Sequence, residues 1–131
     1  MNAENTDKLL TAFPLLYREL RVFGFECGDG WFGLVWQLSS DIESTARLAG
    51  IPENSDAWPS VEILKQKFGS LRVSFAAPVG EDIDVLVTKA EKLSSETCES
   101  CGALGYCEQQ CRWVKTLCET CRKAQSWSQQ P

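Results

Sequence analysis

The sequence predicts an α+β fold: N-terminal helices and a β-hairpin followed by a helix, closed by a small cysteine-rich module. Three observations carry that prediction. Apolar residues recur at helical spacing in three segments, Leu71, Val73 and Phe75 alternate with Arg72 and Ser74 as in a half-buried strand, and two C-x2-C pairs stand near the end.

The 131 residues suffice for one domain with a small appendage, and we divide them at 1–97, a helical and hairpin domain, and 98–131, a metal-binding module packed on it. A hydrophobic share of 44% and a charged share of 24% are ordinary for a folded globular protein.

Residues 7–21 place Leu9, Leu10, Phe13, Leu16, Tyr17 and Leu20 at helical spacing, with Thr6 as N-cap and Pro14 as a break. One broken helix or two short ones is expected. In Cys27-Gly28-Asp29-Gly30 the glycines allow a tight turn and Asp29 can cap a helix over 31–48, whose apolar stripe is Trp31, Leu34, Val35, Leu38, Ile42 and Ala46. Gly50 and Pro52 end it, and an exposed loop runs to Pro59.

Residues 61–67 fit a strand or a short helix, and we take the strand, paired as a hairpin with the one reaching Ala76 through a turn at Gly69 and Ser70. Ile83, Leu86, Val87, Ala90 and Leu93 mark a helix over 81–95, with acids at its start. In the tail, residues 112–117 read as a strand and 118–125 as a helix.

Cys98 and Cys101, then sixteen residues, then Cys118 and Cys121 give the spacing of a four-cysteine zinc site, and with the strand and helix at the second pair the tail reads as a zinc-ribbon or treble-clef-like module. Two residues between ligands let one turn aim two sulfurs at a tetrahedral ion, and Gly102 relaxes the first turn. Thiolates bound to Zn2+ would supply folding energy that so short a segment lacks. An iron site or a dithiol redox pair are the competing readings, the latter weakened by the second pair at ligand spacing. Cys107 and Cys111 could offer alternative ligands, but C-x3-C suits the metal less well, and we read them as reduced bystanders. Cys27, alone beside Gly28, reads as a buried structural thiol.

Histidine is absent, which removes the Ser-His-Asp triad, the Cys-His pair and the commonest catalytic zinc ligands. Neither a phosphate-binding loop nor a dinucleotide fingerprint is present, and the pairs Asp82/Asp84 and Asp41/Glu43 read as exposed helix acids. A non-enzymatic protein is expected.

A net charge of −5 argues against broad attachment to nucleic acid or anionic membrane, and suits a basic protein partner. The acids concentrate before the tail: residues 98–131 hold three acidic and four basic side chains. Those cations, Arg112, Lys115, Arg122 and Lys123, with Trp113 and Trp127, support the alternative of a nucleic-acid-associated zinc protein or accessory regulator. Trp31, Trp36 and Trp58 could line a self-association surface, but tryptophans more often fill the core. With no secretory signal or membrane span in the sequence, the expected location is the cytoplasm, where thiols stay reduced.

The motifs Gly24-Phe-Glu-Cys-Gly-Asp-Gly-Trp31, Lys67-Phe-Gly-Ser-Leu-Arg72, Ser95-Glu-Thr-Cys98, Cys101-Gly102, Trp113, Lys115-Thr-Leu-Cys118 and Cys121 form an ordered set covering most of the chain from Gly24 onward. In them the chain resembles a family of small, largely uncharacterised proteins of bacteria and their phages. The resemblance implies a zinc-binding tail after a helical and hairpin region, in a protein often carried on mobile DNA. Members frequently carry histidine where this chain has Cys121, and many have a longer loop at 51–60. Cys107 and Cys111 depart from the pattern. Small size, acidity and that setting point to an inhibitor of a protein partner, such as a toxin immunity protein or a phage inhibitor of host defence.

Overall fold

The computed structural model describes residues 1–20, 24–107 and 114–128, the last four without their side chains. It is a mixed α+β protein. Helix α1 (Ala3–Ala12) leads to a short strand β1 (Phe25–Glu26), a single 3-10 turn (Asp29–Trp31) and α2 (Phe32–Leu48). Strands β2 (Val61–Lys67) and β3 (Ser70–Phe75) form the hairpin and α3 (Glu81–Ser94) follows; β4 (Tyr106–Cys107), β5 (Thr116–Leu117) and α4 (Glu119–Ser128) make up the tail.

Asn2, rather than Thr6, caps α1, its side chain accepting the Asn5 amide at 2.8 Å. The helix stops at Ala12 because Pro14 disfavours helical backbone in the residue before it and has no N–H to give. Residues 14–19 continue as turns, not as a second helix. They still bury Leu16 and Tyr17, so the apolar spacing reports burial where it does not report helix.

Asp29 does not cap α2. Its carboxylate accepts the Asn2 amide at 2.8 Å and the Asn5 side-chain amide at 3.1 Å, which ties the start of α1 to the turn before α2. Those bonds, the one from the Asn2 amide first, hold the Asp29 pKa below the ordinary carboxylate value.

The sheet order is β1-β2-β3, with β1 parallel to β2 and β2 antiparallel to β3. β1 spans two residues, too few to show a period. The hairpin turn is Phe68-Gly69, at φ 54° and 84°, and Ser70 already belongs to β3. One face of the sheet, through Phe25, Leu64 and Leu71, joins Leu9, Leu16, Trp31, Val35, Ile42, Ile83 and Val87 in one core. Burial of these side chains supplies the main driving force. Trp31 and Trp58 are fully buried, while Trp36 is partly exposed and stacks edge-on with Phe13 at 4.9 Å.

Candidate metal centre

Two turns bring the four sequence-predicted cysteines together. The first begins where α3 ends: Gly102 donates to the Cys98 carbonyl at 2.9 Å and Cys98 donates to the Ala103 carbonyl at 2.7 Å, closing a loop around Cys101. Gly102 sits at φ 84°, a conformation that suits glycine, and its side lies against the Gly30 backbone. The second turn opens α4: Arg122 donates to the Cys118 carbonyl at 2.9 Å and the Cys121 amide points at the Cys118 sulfur at 3.4 Å. β4 pairs with β5, Tyr106 against Leu117, and the Glu99 amide donates to the Thr116 carbonyl at 2.9 Å. The two turns are thereby held face to face.

The sulfurs of Cys98, Cys101, Cys118 and Cys121 all lie within 4.8 Å of one another, and those of Cys101 and Cys118 are 3.7 Å apart. Such a cluster can hold one metal ion. Its electrostatics favour a cation. Burial would raise the Cys98 thiol, but the backbone amides of Cys118, Cys101 and Ser100 outweigh it and lower the value to about 6. Cys121 is pushed up to about 12 by the neighbouring sulfurs of Cys118, Cys101 and Cys98. Sulfurs this close cannot all be thiolates without a positive charge among them.

Cys107 is outside the cluster, with its sulfur 4.0 Å from the Phe68 carbonyl. Cys111 lies outside the described residues. Cys27 is buried in the core, as expected.

Sequence reasoning missed the residues that attach the centre to the rest of the fold. The Glu99 carboxylate accepts the Gly28 amide at 2.8 Å, the Glu99 carbonyl accepts the Gly30 amide at 2.7 Å, and the Trp31 indole donates to the Thr97 carbonyl at 2.8 Å. The Thr116 hydroxyl donates to the Gly69 carbonyl, and the Gln66 side chain to that of Val114 at 2.8 Å. The available signal was Gly28-Asp29-Gly30-Trp31, where glycines were read as turn formers although they serve close approach.

Of the four tail cations, Arg122 is stacked on the Tyr106 ring at 4.2 Å and bonded to the Tyr106 and Leu117 carbonyls, and Lys123 pairs with Glu119 at 3.3 Å. Lys115 is exposed; Arg112 and Trp113 lie outside the described residues, and so does the Trp127 side chain. Among the described residues no helix is long and apolar enough to cross a membrane.

No family model matches the chain, and comparison with curated proteins and with solved structures gives no match either.

Proposed function

We propose that the protein is a non-enzymatic, zinc-containing binding protein that inhibits or neutralises a basic protein partner in the cytoplasm. The observation that supports the zinc is the convergence of four thiols. Tetrahedral Zn2+ with sulfurs at about 2.3 Å places them roughly 3.8 Å apart, close to the 3.7 Å between Cys101 and Cys118. Four thiolates close the coordination sphere and leave no position for a catalytic water, so the ion acts as a clamp on the tail. The proposed division at residue 97/98 follows from that role, the module being joined to the segment that enters α2 through Glu99 and to the hairpin through Thr116 on Gly69 and Val114 on Gln66.

The basic partner is supported by charge. Glu81, Asp82 and Asp84 are exposed on the first turn of α3, and Glu19 and Asp56 line a cleft of about 300 Å³ near its start, with Arg18 as the cation there. Arg18 is held against the Leu15 and Trp58 carbonyls at 2.7 and 2.8 Å, so the acids dominate what a partner meets. Acids so placed speed association with a basic surface more than they tighten it. The resemblance to proteins carried on mobile DNA supports a toxin immunity protein or an inhibitor of host defence.

Metal analysis of the purified protein, joined to a pull-down from the native host at low and moderate salt, tests both parts. One zinc per chain and a stoichiometric basic protein are expected. A metal-free protein with Cys98, Cys101, Cys118 and Cys121 in disulfides would overturn the zinc, and recovery of no protein partner would overturn the inhibitor.

A further inference from the structure

The tip and outer face of the β2–β3 hairpin break two local rules at once. Phe68 has φ 54°, a left-handed conformation that costs a bulky side chain free energy and that asparagine or glycine would adopt more readily in a two-residue hairpin turn. The fold gains little in return, since Phe68 is 69% exposed and its ring contact is with Lys67, whose ammonium lies 5.6 Å from the ring centroid. Lys65 stands directly opposite Arg72 across the two strands, a like-charge pairing that destabilises a sheet.

These costs share one place. Pairing alternates sides, so Lys65, Lys67 and Arg72 fall on the face opposite Leu64 and Leu71, away from the core. Glu26 faces Lys65 from β1 and offsets one charge of the three. The turn itself is fixed: the Gly69 carbonyl accepts the Thr116 hydroxyl, and the Gly69 backbone abuts Cys107 and Val114. The tail thus holds the turn at Gly69, while the Phe68 ring stays exposed beside the Lys67 ammonium. Positions where a sequence breaks local rules without internal compensation are where function is expected.

We propose that this face, comprising Lys65, Lys67, Phe68 and Arg72, binds single-stranded nucleic acid without sequence preference, with the cations on phosphates and one base stacked on Phe68. Cations alone would suit any polyanion. A planar ring projected among them from a fixed turn is the feature a base uses and an acidic protein does not require. The chain's net charge of −5 does not forbid it, because at physiological salt charges beyond about 8 Å are screened and the local face decides. The site uses a different face from the acids offered to the protein partner, and it stands or falls separately.

The test is fluorescence anisotropy of labelled oligo(dT) with the full, zinc-loaded chain. Binding in roughly the 1–100 μM range that weakens as salt rises is expected. Phe68→Asn should weaken it by roughly 5- to 100-fold while leaving the melting temperature unchanged or higher, and Phe68→Trp should retain it. The triple change Lys65→Gln, Lys67→Gln, Arg72→Gln should flatten the salt dependence. Failure to bind oligo(dT) at low salt, equal binding by Phe68→Asn, a melting temperature lowered in that variant, or equal binding of a poly-glutamate peptide would each overturn the proposal.

Discussion

The Glu99 carboxylate accepts a hydrogen bond from the Gly28 amide at 2.8 Å, joining the first metal-site turn to the segment that enters α2. One residue on from that amide's neighbour, the Gly30 amide reaches the Glu99 carbonyl at 2.7 Å. The two backbones run so close that a Cβ on Gly30 would overlap the Cys98 carbonyl oxygen and lie 2.6 Å from the Glu99 carbonyl. Gly30→Ala should therefore cost on the order of 3 kcal/mol, because only backbone could move to relieve the overlap. Gly33, with nothing near its Cβ direction and a place inside α2, is the control: Gly33→Ala should stabilise by roughly 0.5–1 kcal/mol. Urea unfolding of both variants checks the pair.

Removing the metal should loosen the tail more than the core. With zinc bound as proposed, the turns around Cys98 and Cys118 would depend on the ion, whereas Leu64, Leu71, Ile83 and Val87 pack in the core apart from the cluster. With a chelator, amide exchange should rise in residues 98–107 and 114–121 first. Cys98→Ser or Cys118→Ser should abolish stoichiometric binding, while Cys107→Ser should retain it, read by metal analysis. Loss of the metal in Cys107→Ser would reassign a ligand.

What was legible in the sequence follows from periodicity and length. α2, α3 and β3 were readable because each repeats its apolar spacing long enough to separate a period of 3.6 from one of 2, whereas β2 fits both periods and reads as a strand only as the partner of β3. The four-cysteine cluster was readable because ligand spacing is a local constraint. β1 was not, since two residues carry no period, and the turns after α1 were misread because Leu16 and Tyr17 are apolar for the core and not for a helix. Asp29 was misassigned for a different reason. Its partners, Asn2 and Asn5, lie on another helix, and such a contact leaves no trace in spacing.

Ser94 shows how the end of α3 supports the sheet. Its hydroxyl accepts the Leu71 amide at 2.8 Å and donates to the Glu91 carbonyl at 2.5 Å, and the residue is fully buried. Leu71 lies on the edge strand β3, so this amide has no strand partner on that side. Ser94→Ala would leave a buried N–H unsatisfied and should cost about 1–3 kcal/mol. A Ser94→Thr variant that keeps the hydroxyl should recover part of that loss in the same urea titration.

Alkaline pH should destabilise the protein through two buried acids that the fold keeps neutral. Burial pushes the Cys27 thiol from its ordinary 9.0 up to about 12, the nearby N-terminal ammonium opposing and the charges of Glu99 and Asp29 adding. Burial likewise raises the Tyr17 phenol far above its usual value, although its hydrogen bond with Ser39 pulls the other way. In both cases the unfolded chain releases its proton at lower pH than the folded one. The stabilising contribution is therefore complete below the unfolded values and is lost as pH rises from about 9 towards the folded values. Each group should contribute a slope approaching about 1.4 kcal/mol per pH unit within its window. Urea midpoints of the zinc-loaded protein at about pH 8 and about pH 10.5 should fall, and the fall should be shallower in Cys27→Ala and in Tyr17→Phe, whatever each variant costs at the lower pH. An unchanged slope in both variants would place the alkaline transition in other groups whose pKa differs between the folded and the unfolded chain.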